Sequence, residues 1–321
     1  MTRTRWVATV TDQHWLIAKI RTNGLKVKIE KAYSFDLKKA ADSVVSESAQ
    51  ELKQFFKKNW ISTRDFGLSF SCPGVITRII TVPVMKKRLL EVLFTEQVEQ
   101  YFTLNVADYI IDYRVLNEVE EEGQKCYKVL LTAVPRDFWN AQMSVLQEAK
   151  LRPKVVDVQF ECLSRLYARS DSSDYVILNL SGQRAEIVIL EQGVFFLFSE
   201  VYFDSKELVR LIEDSKDSEL SYDSTYLEGL ENTFFPVMRN LEEFLTFFTS
   251  RHFGKNVDMI YITGEYAKLR DIDKVFRTNL ELPTQIAYPK GLKLKFSKKV
   301  SQLNLNSSLL GGLIGLALRE D

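Results

Sequence analysis

The sequence is poor in the residues that most often build catalytic and metal sites. It has two histidines, His14 and His252, and three cysteines, Cys72, Cys126 and Cys162, with no CxxC or HExxH spacing. A zinc site or a histidine-based catalytic triad is therefore not expected, because each needs several such side chains close together. We predict reduced, mostly buried thiols, since disulfide frameworks use an even and denser set of cysteines.

Glycine is scarce as well. The chain has 13 glycines among 321 residues, about 4%, where about 7% is usual. Folds that cradle phosphate use glycine where the backbone must approach the ligand closely. The shortage therefore disfavours glycine-rich nucleotide loops.

No charge excess and no long apolar run is present. Lys and Arg together number 43, as do Asp and Glu, so the overall field favours neither nucleic acid nor anionic lipid. We interpret the basic segment Lys290–Lys299 as a solvated face. The longest apolar run, Leu309–Leu318, is half of the roughly 20 residues that span a bilayer, and Met1–Trp6 lacks the apolar core of a secretory signal. We expect a cytoplasmic chain with no nucleic-acid partner, which contacts the membrane only through a partner.

The sequence divides into two halves that open in the same way. Each begins with three stretches rich in β-branched and aromatic residues, which are typical of strands, and a glycine, Gly24 or Gly193, precedes the third. Between Pro73 and Pro153 the pattern changes to strand, helix, strand, strand, helix. We therefore predict an α/β fold of duplicated β-β-β-α-β-α halves with an inserted β-α-β-β-α subdomain. The predicted domains are 1–73 with 153–172, the insert 74–152, and 173–321 with a small subdomain within about 206–257.

Several motifs give this plan a more specific meaning. Their order and spacing are similar to those of the type IV pilus assembly protein PilM family, and the match runs from Leu68 to Tyr167. The motifs are CPGVITR at Cys72–Arg78, EQVEQY at Glu96–Tyr101, DYRVL at Asp112–Leu116, AVP at Ala133–Pro135 and VVDV at Val155–Val158.

The resemblance implies a cytoplasmic protein of the actin and FtsA superfamily. It implies docking of the N-terminal tail of a PilN-like membrane protein near the inserted subdomain. That partner would couple the chain to the inner-membrane platform and motor of a type IV pilus or a related type II secretion system. Candidate lining residues lie on a predicted helix, Leu89–Phe102, and a predicted strand, Val75–Val82. The fold alone leaves the activity open, because it also serves ATPases, sugar kinases and chaperones.

The three loops that hold ATP in this superfamily are altered here. Thr9 stands where relatives have a metal-binding Asp, Asn179 stands at the second Asp position, and Glu265 adds a charge beside the adenine loop. Loss of carboxylates disfavours magnesium, and a charge disfavours a largely apolar base pocket. We therefore expect no catalytic residue, no metal and no cofactor. The vestigial positions are Thr9, Thr11, Asn179, Ser181, Gly182, Gly264 and Glu265.

Other interpretations remain open at this point. Asp12 is either a shifted metal ligand or a turn residue, and Arg184 is either a phosphate clamp or a turn residue. Asp157, with Gln159 in place of a Glu often found two positions on, is expected to accept hydrogen bonds near a hinge. The alternative function is an ATP-binding PilM-like ATPase, with ATP and Mg²⁺ as cofactors. A small-molecule kinase would need a catalytic Asp opposite the loops, and the sequence offers none.

Overall fold

The computed structural model describes residues 2–11, 14–36, 44–168, 173–208, 210, 224–301 and 307–320. The chain forms two compact units. The larger is built from Met1–Asp36, Phe66–Ser71 and Val155–Asp321, and the smaller from Leu37–Asp65 and Cys72–Lys154. The predicted division into two halves and an insert at 74–152 stays a prediction. Residues 209 and 211–223 of the small subdomain predicted within about 206–257 lie outside the described residues.

The described strands and helices are numbered in chain order. The strands are β1 (Arg3–Thr11), β2 (His14–Asn23), β3 (Lys26–Asp36), β4 (Phe66–Ser71), β5 (Ile76–Pro83), β6 (Tyr109–Glu121), β7 (Gln124–Pro135), β8 (Val155–Val158), β9 (Tyr175–Ser181), β10 (Arg184–Glu191), β11 (Val194–Tyr202), β12 (Met259–Thr263), β13 (Thr284–Gln285) and β14 (Lys293–Phe296). The helices are α1 (Val44–Lys58), α2 (Lys87–Glu96), α3 (Arg136–Glu148), α4 (Gln159–Tyr167), α5 (Ser224–Arg251), α6 (Ile272–Leu280), α7 (Lys298–Ser301) and α8 (Gly311–Ala317).

The larger unit contains two sheets with the same topology. One has the strand order β14-β3-β2-β1-β4-β8, and the other β11-β10-β9-β12-β13. In both, an antiparallel three-strand meander is followed by two parallel strands. The predicted duplication is therefore confirmed. The centre of the second sheet is buried along almost the whole of β9 and β10, as expected for strands covered on both faces.

One strand crosses between the halves. β14 follows the second sheet in sequence but pairs in parallel with β3, with Lys293 opposite Lys26. Along β14 the lysines are exposed, while Leu294 and Phe296 are half-buried. The segment Lys290–Lys299 thus includes an edge strand whose lysines face solvent, which fits its interpretation as a solvated basic face.

Helix α8 packs very closely on helix α4. A Cβ atom added at Gly315 would overlap the carbonyl group of Cys162, so only glycine allows the two backbones to approach this far. Glycine is used here for helix packing. All three cysteines are buried and none of them forms a disulfide bond, as predicted.

The smaller unit carries an antiparallel three-stranded sheet of order β5-β7-β6. Its element order, β5-α2-β6-β7-α3, confirms the predicted β-α-β-β-α pattern. Leu90 and Phe94 of α2 pack in one apolar cluster with Val129 and Leu131 of β7. The predicted helix Leu89–Phe102 is wrong in length, because α2 ends at Glu96 and a 3-10 turn follows at Val98–Tyr101.

Candidate functional site

The altered loops meet in one cleft of the larger unit. β9 and β12 are parallel neighbours, so the loops that follow them emerge at the same edge of the sheet. The cleft is lined by Thr9 and Thr11 from the end of β1, Asn179 and Ser181 from β9, and Gly264 after β12. Five of the seven predicted positions therefore line one cleft. Of the other two, Glu265 is hydrogen-bonded to Ser181, and Gly182 is hydrogen-bonded to Glu265.

The hydroxyl groups of the first loop are directed to protein partners. The Thr9 hydroxyl is hydrogen-bonded to that of Ser69 on the neighbouring strand β4. The Thr11 hydroxyl donates to the side-chain oxygen of Gln159 at 3.5 Å. A Cβ atom at Gly312 would lie 3.3 Å from the Thr9 hydroxyl, so α8 also crowds this loop. Asp12, considered above as a metal ligand, lies outside the described residues.

Asn179 of the second loop belongs to a buried polar network. Its side-chain NH₂ donates to one oxygen of Glu186 at 2.8 Å, and the Ser71 hydroxyl donates to the other oxygen at 2.9 Å. Glu186 is 3% exposed. Burial raises the pKa of Glu186, and these two hydrogen bonds and the charge of Arg184 partly oppose that rise.

Arg184 lies in a strand and not in a turn, which corrects the turn interpretation, while the phosphate-clamp interpretation stays a hypothesis. It begins β10, is buried, and forms an ion pair with Glu200 of β11 at 2.9 Å. Its second terminal nitrogen donates to the backbone and the hydroxyl oxygen of Ser71. A buried charge needs such partners, and they direct this guanidinium into the fold.

Sequence reasoning missed Glu186, Glu200 and Ser71 as members of this site. A signal for Glu186 exists, because it is a charged residue inside the otherwise apolar run of β10. Ser71 and Glu186 lie 115 positions apart, so no local pattern connects them.

The third loop is joined to the second by hydrogen bonds from backbone N–H groups to side chains. The Glu265 carboxylate accepts from the N–H of Gly182 at 3.4 Å, and the N–H of Glu265 donates to the Ser181 hydroxyl at 3.1 Å. The N–H of Gly264 donates to the carbonyl of Ser308 at 3.3 Å. The backbone N–H groups of Gly182, Gly264 and Glu265 therefore all donate to acceptors within the protein. Loop N–H groups of this kind bind phosphate in nucleotide sites.

Asp157 lies on the strand β8 that leads into α4. One of its carboxylate oxygens accepts hydrogen bonds from Arg165 and from Arg319, each at 2.9 Å. The Asp157 side chain therefore joins α4 to the segment that follows α8. It accepts hydrogen bonds, as expected from the sequence, and both donors are arginines.

The cleft offers little room and few metal donors. It encloses a cavity of about 20 Å³, where one ordered water needs roughly 10–15 Å³. Within the ranges that the structure describes, no group of three or more His, Cys, Asp or Glu side chains could hold a metal ion. Among the same residues, no helix combines the length and apolar character needed to cross a bilayer.

One family of known proteins matches nearly the whole chain. The model of the family described as type IV pilus assembly protein PilM matches residues 17–321. A solved structure described as a PilM–PilN type IV pilus biogenesis complex is similar with a TM-score of 0.75 and 18% identity, covering 98% of each chain. This likeness, with the duplicated sheets, establishes the predicted actin-like fold.

Two further solved structures are more distant. The ethanolamine utilization protein EutJ from Carboxydothermus hydrogenoformans has a TM-score of 0.46 and 12% identity, covering 98% of this chain and 89% of EutJ. An MreB protein of Spiroplasma citri with bound AMPPNP has a TM-score of 0.47 and 12% identity, covering 98% and 95%. Neither is similar enough to support a statement about function.

Proposed function

The chain belongs to the PilM family of type IV pilus assembly proteins, and on that premise we propose that it is a scaffold without ATPase activity. It binds the cytoplasmic tail of a PilN-like inner-membrane protein and so attaches to the assembly platform and, indirectly, its motor. Its place is the cytoplasmic face of the inner membrane. The PilN partner in the similar solved complex supports the partner class.

One observation carries the proposed loss of nucleotide binding. The Glu265 carboxylate accepts the Gly182 N–H bond, which an ATP-binding loop of this fold would offer to a phosphate. A fixed anion at this place repels a phosphate group and competes with it for the same donor.

The rest of the cleft supports the same conclusion. Magnesium prefers carboxylate ligands, but the loop ends present Thr9, Thr11 and Asn179. The carboxylate of Glu186 is buried and bonded to Asn179 and Ser71. A magnesium nucleotide does not fit these residues, and we assign no chemical step to the cleft.

Calorimetric titration with Mg²⁺-ATP and a phosphate-release assay test this half of the proposal. We expect no binding below roughly millimolar, about −4 kcal/mol, and no turnover above background. Turnover that an Arg184 substitution abolishes in a variant that remains folded would overturn the scaffold reading and favour the ATPase alternative.

Exposed apolar side chains of the smaller unit, at the end of β5 and on α2, suggest a place for the tail. Val84, Leu89 and Val92 expose their side chains there. Val84 directly follows β5, and its N–H donates to the carbonyl of Lys125 at 3.1 Å. Among the described strands only β7 pairs with β5, so the other edge of β5 is available. An extended peptide can add to such an edge and place alternate side chains in an apolar patch.

The second test titrates a synthetic cytoplasmic tail of the PilN-like protein encoded beside this gene. We expect a micromolar dissociation constant, about −8 kcal/mol, because a disordered tail loses entropy on binding. Leu89→Asp should weaken binding at least tenfold. The matched control is Leu227→Asp, an exposed leucine on α5 of the larger unit, and it should leave binding unchanged. If no tail binds below roughly millimolar, the docking proposal is wrong.

A further inference from the structure

Trp60 is an exposed residue that the fold does not explain. It follows α1 in the left-handed backbone region, with φ of 56°, and its side chain is 88% exposed. That region disfavours side chains and is usually filled by glycine at a helix end. Within the described chain, the indole has no ring, ionic or hydrogen-bonding partner. The helix end itself needs only the backbone, since the N–H of Ile61 donates to the carbonyl of Phe56 at 3.0 Å.

Helix α3 ends in the same way beside it. Lys150 has φ of 60°, and the N–H of Leu151 donates to the carbonyl of Leu146 at 2.9 Å. The segments that follow the two helices are joined, because the N–H of Arg152 donates to the carbonyl of Thr63 at 2.7 Å. Two left-handed helix ends therefore lie at one end of the smaller unit.

We call these two segments, 57–65 and 148–154, the basic end. They contain six basic and two acidic side chains, a net charge of +4 in a chain of zero net charge. Apart from Lys154, none of the basic side chains has an ion-pair partner among the described residues. Helix dipoles favour cations near helix C-termini, which accounts for Lys57 and Lys58 but not for Arg64 and Arg152, which lie beyond the helices. The exposed charged residues are Lys57, Lys58, Arg64, Lys150, Arg152 and Lys154, with Asp65 and Glu148.

We propose that the basic end binds the surface of an anionic phospholipid bilayer, with the Trp60 indole at the level of the headgroups. Tryptophan is enriched at that level because one part of the ring is apolar and its N–H is polar. Each Lys or Arg close to an anionic surface strengthens binding about fivefold. Single-stranded nucleic acid is a poorer fit, because such sites stack successive bases on several aromatic rings and Trp60 is the one exposed aromatic ring in these segments.

The contact has a consequence for how the chain meets the membrane. The rest of the chain carries a net charge of −4. It includes a second basic segment, Lys290–Lys299, but the one aromatic side chain there, Phe296, is half-buried, so only the basic end combines the positive charge with an exposed tryptophan. This adds a direct lipid contact to the partner-mediated contact predicted from the sequence. The lipid proposal does not rest on the proposed function, because it is argued from Trp60 and the charges of the basic end. The vesicle test contains no tail peptide and the tail titration contains no lipid, so the two can fail separately.

The test uses the full chain and two kinds of vesicle, phosphatidylcholine alone and phosphatidylcholine with about one third phosphatidylglycerol. Sedimentation should give at least about tenfold stronger binding to the anionic vesicles. Binding should be largely lost in about 0.5 M salt, because screening shortens the range of the attraction. Lys57→Glu combined with Lys58→Glu should reduce it by more than about tenfold.

Trp60→Gly separates the proposed contact from folding. Glycine suits the left-handed position, so the thermal midpoint should hold or rise while vesicle binding falls about tenfold. The blue shift of tryptophan fluorescence on anionic vesicles should vanish with it. The matched control is Phe253→Gly, since Phe253 is a fully exposed aromatic with φ of 53° after α5. It lies outside the basic end and should leave vesicle binding unchanged.

Three results would overturn the proposal. They are equal binding to neutral and anionic vesicles, unchanged binding of Trp60→Gly, and stronger binding to a single-stranded oligonucleotide that displaces the vesicles. The last result would identify the basic end as a nucleic-acid surface instead.

Discussion

The carboxylate of Glu265 accepts a hydrogen bond from the backbone N–H of Gly182 at 3.4 Å. The bond connects the loop after β12 to the turn between β9 and β10, 83 positions away. Tyr266 adds a second connection, because its hydroxyl donates to the carbonyl of Gly182 at 2.9 Å. The turn is therefore held on both its N–H and its C=O, without a ligand.

Removing this carboxylate should loosen the turn. We expect Glu265→Ala to lower the free energy of unfolding by about 1 kcal/mol, the usual value of one hydrogen bond, and Glu265→Gln to lower it less, because an amide oxygen still accepts. Hydrogen exchange should speed up at Gly182 in the Ala variant. Unchanged exchange at that amide would contradict a bond in solution.

Gly264 should tolerate no side chain. Its φ is 95°, and an added Cβ would overlap the Asn179 side chain and lie 2.6 Å from the carbonyl oxygen of Leu180. Strain and overlap together predict that Gly264→Ala costs about 3 kcal/mol or more.

The control for that prediction is Gly254→Ala. Gly254 has a similar φ of 87°, but nothing lies within 4 Å of an added Cβ. It should cost about 1–2 kcal/mol, for the backbone conformation alone. Equal losses in denaturant titrations of the two variants would show that the contact with β9 is not tight.

Local pattern predicted the strands and the two similar halves, because periodicity and turn residues are visible over short stretches. The altered loops were predicted from the resemblance to the PilM family, and the structure places Thr9, Asn179 and Gly264 in one cleft. The side-chain network could not be predicted. Ser71 meets Glu186 across 115 positions, and such pairs are determined by how the sheets pack.

His252 should make stability depend on pH. Its pKa is raised, first by the hydrogen bond to Glu191 at 2.8 Å and then by the carbonyl of Phe248. A protonated histidine is therefore favoured by folding. The resulting gain in the free energy of unfolding is complete below the unfolded pKa of 6.5. It is lost as pH rises through the higher folded pKa.

His252→Gln should consequently destabilise the protein more at about pH 6 than at about pH 9. Urea titrations at both pH values measure this difference. Glu191→Gln is the control, because it removes the main cause of the raised pKa and should reduce the same dependence. A cost of His252→Gln that is equal at both pH values would contradict the pairing.

Glu186 should give a pH dependence of the same sign as His252, beginning at a lower pH. Burial raises its pKa above 4.5 in the folded state, so the folded protein holds this proton more tightly than the unfolded chain does. Stability from this group is greatest below the unfolded pKa and falls as pH rises towards the folded pKa.

Glu186→Gln removes that fall while keeping an oxygen that can accept from Asn179. The stability of the variant relative to the native protein should therefore increase from about pH 4.5 to pH 7, as measured by urea titration. The exposed Glu243→Gln on α5 is the control and should show no such increase. A relative stability of Glu186→Gln that decreases over this range would mean that the carboxylate is better satisfied when ionised, and that the Asn179 and Ser71 hydrogen bonds outweigh its burial.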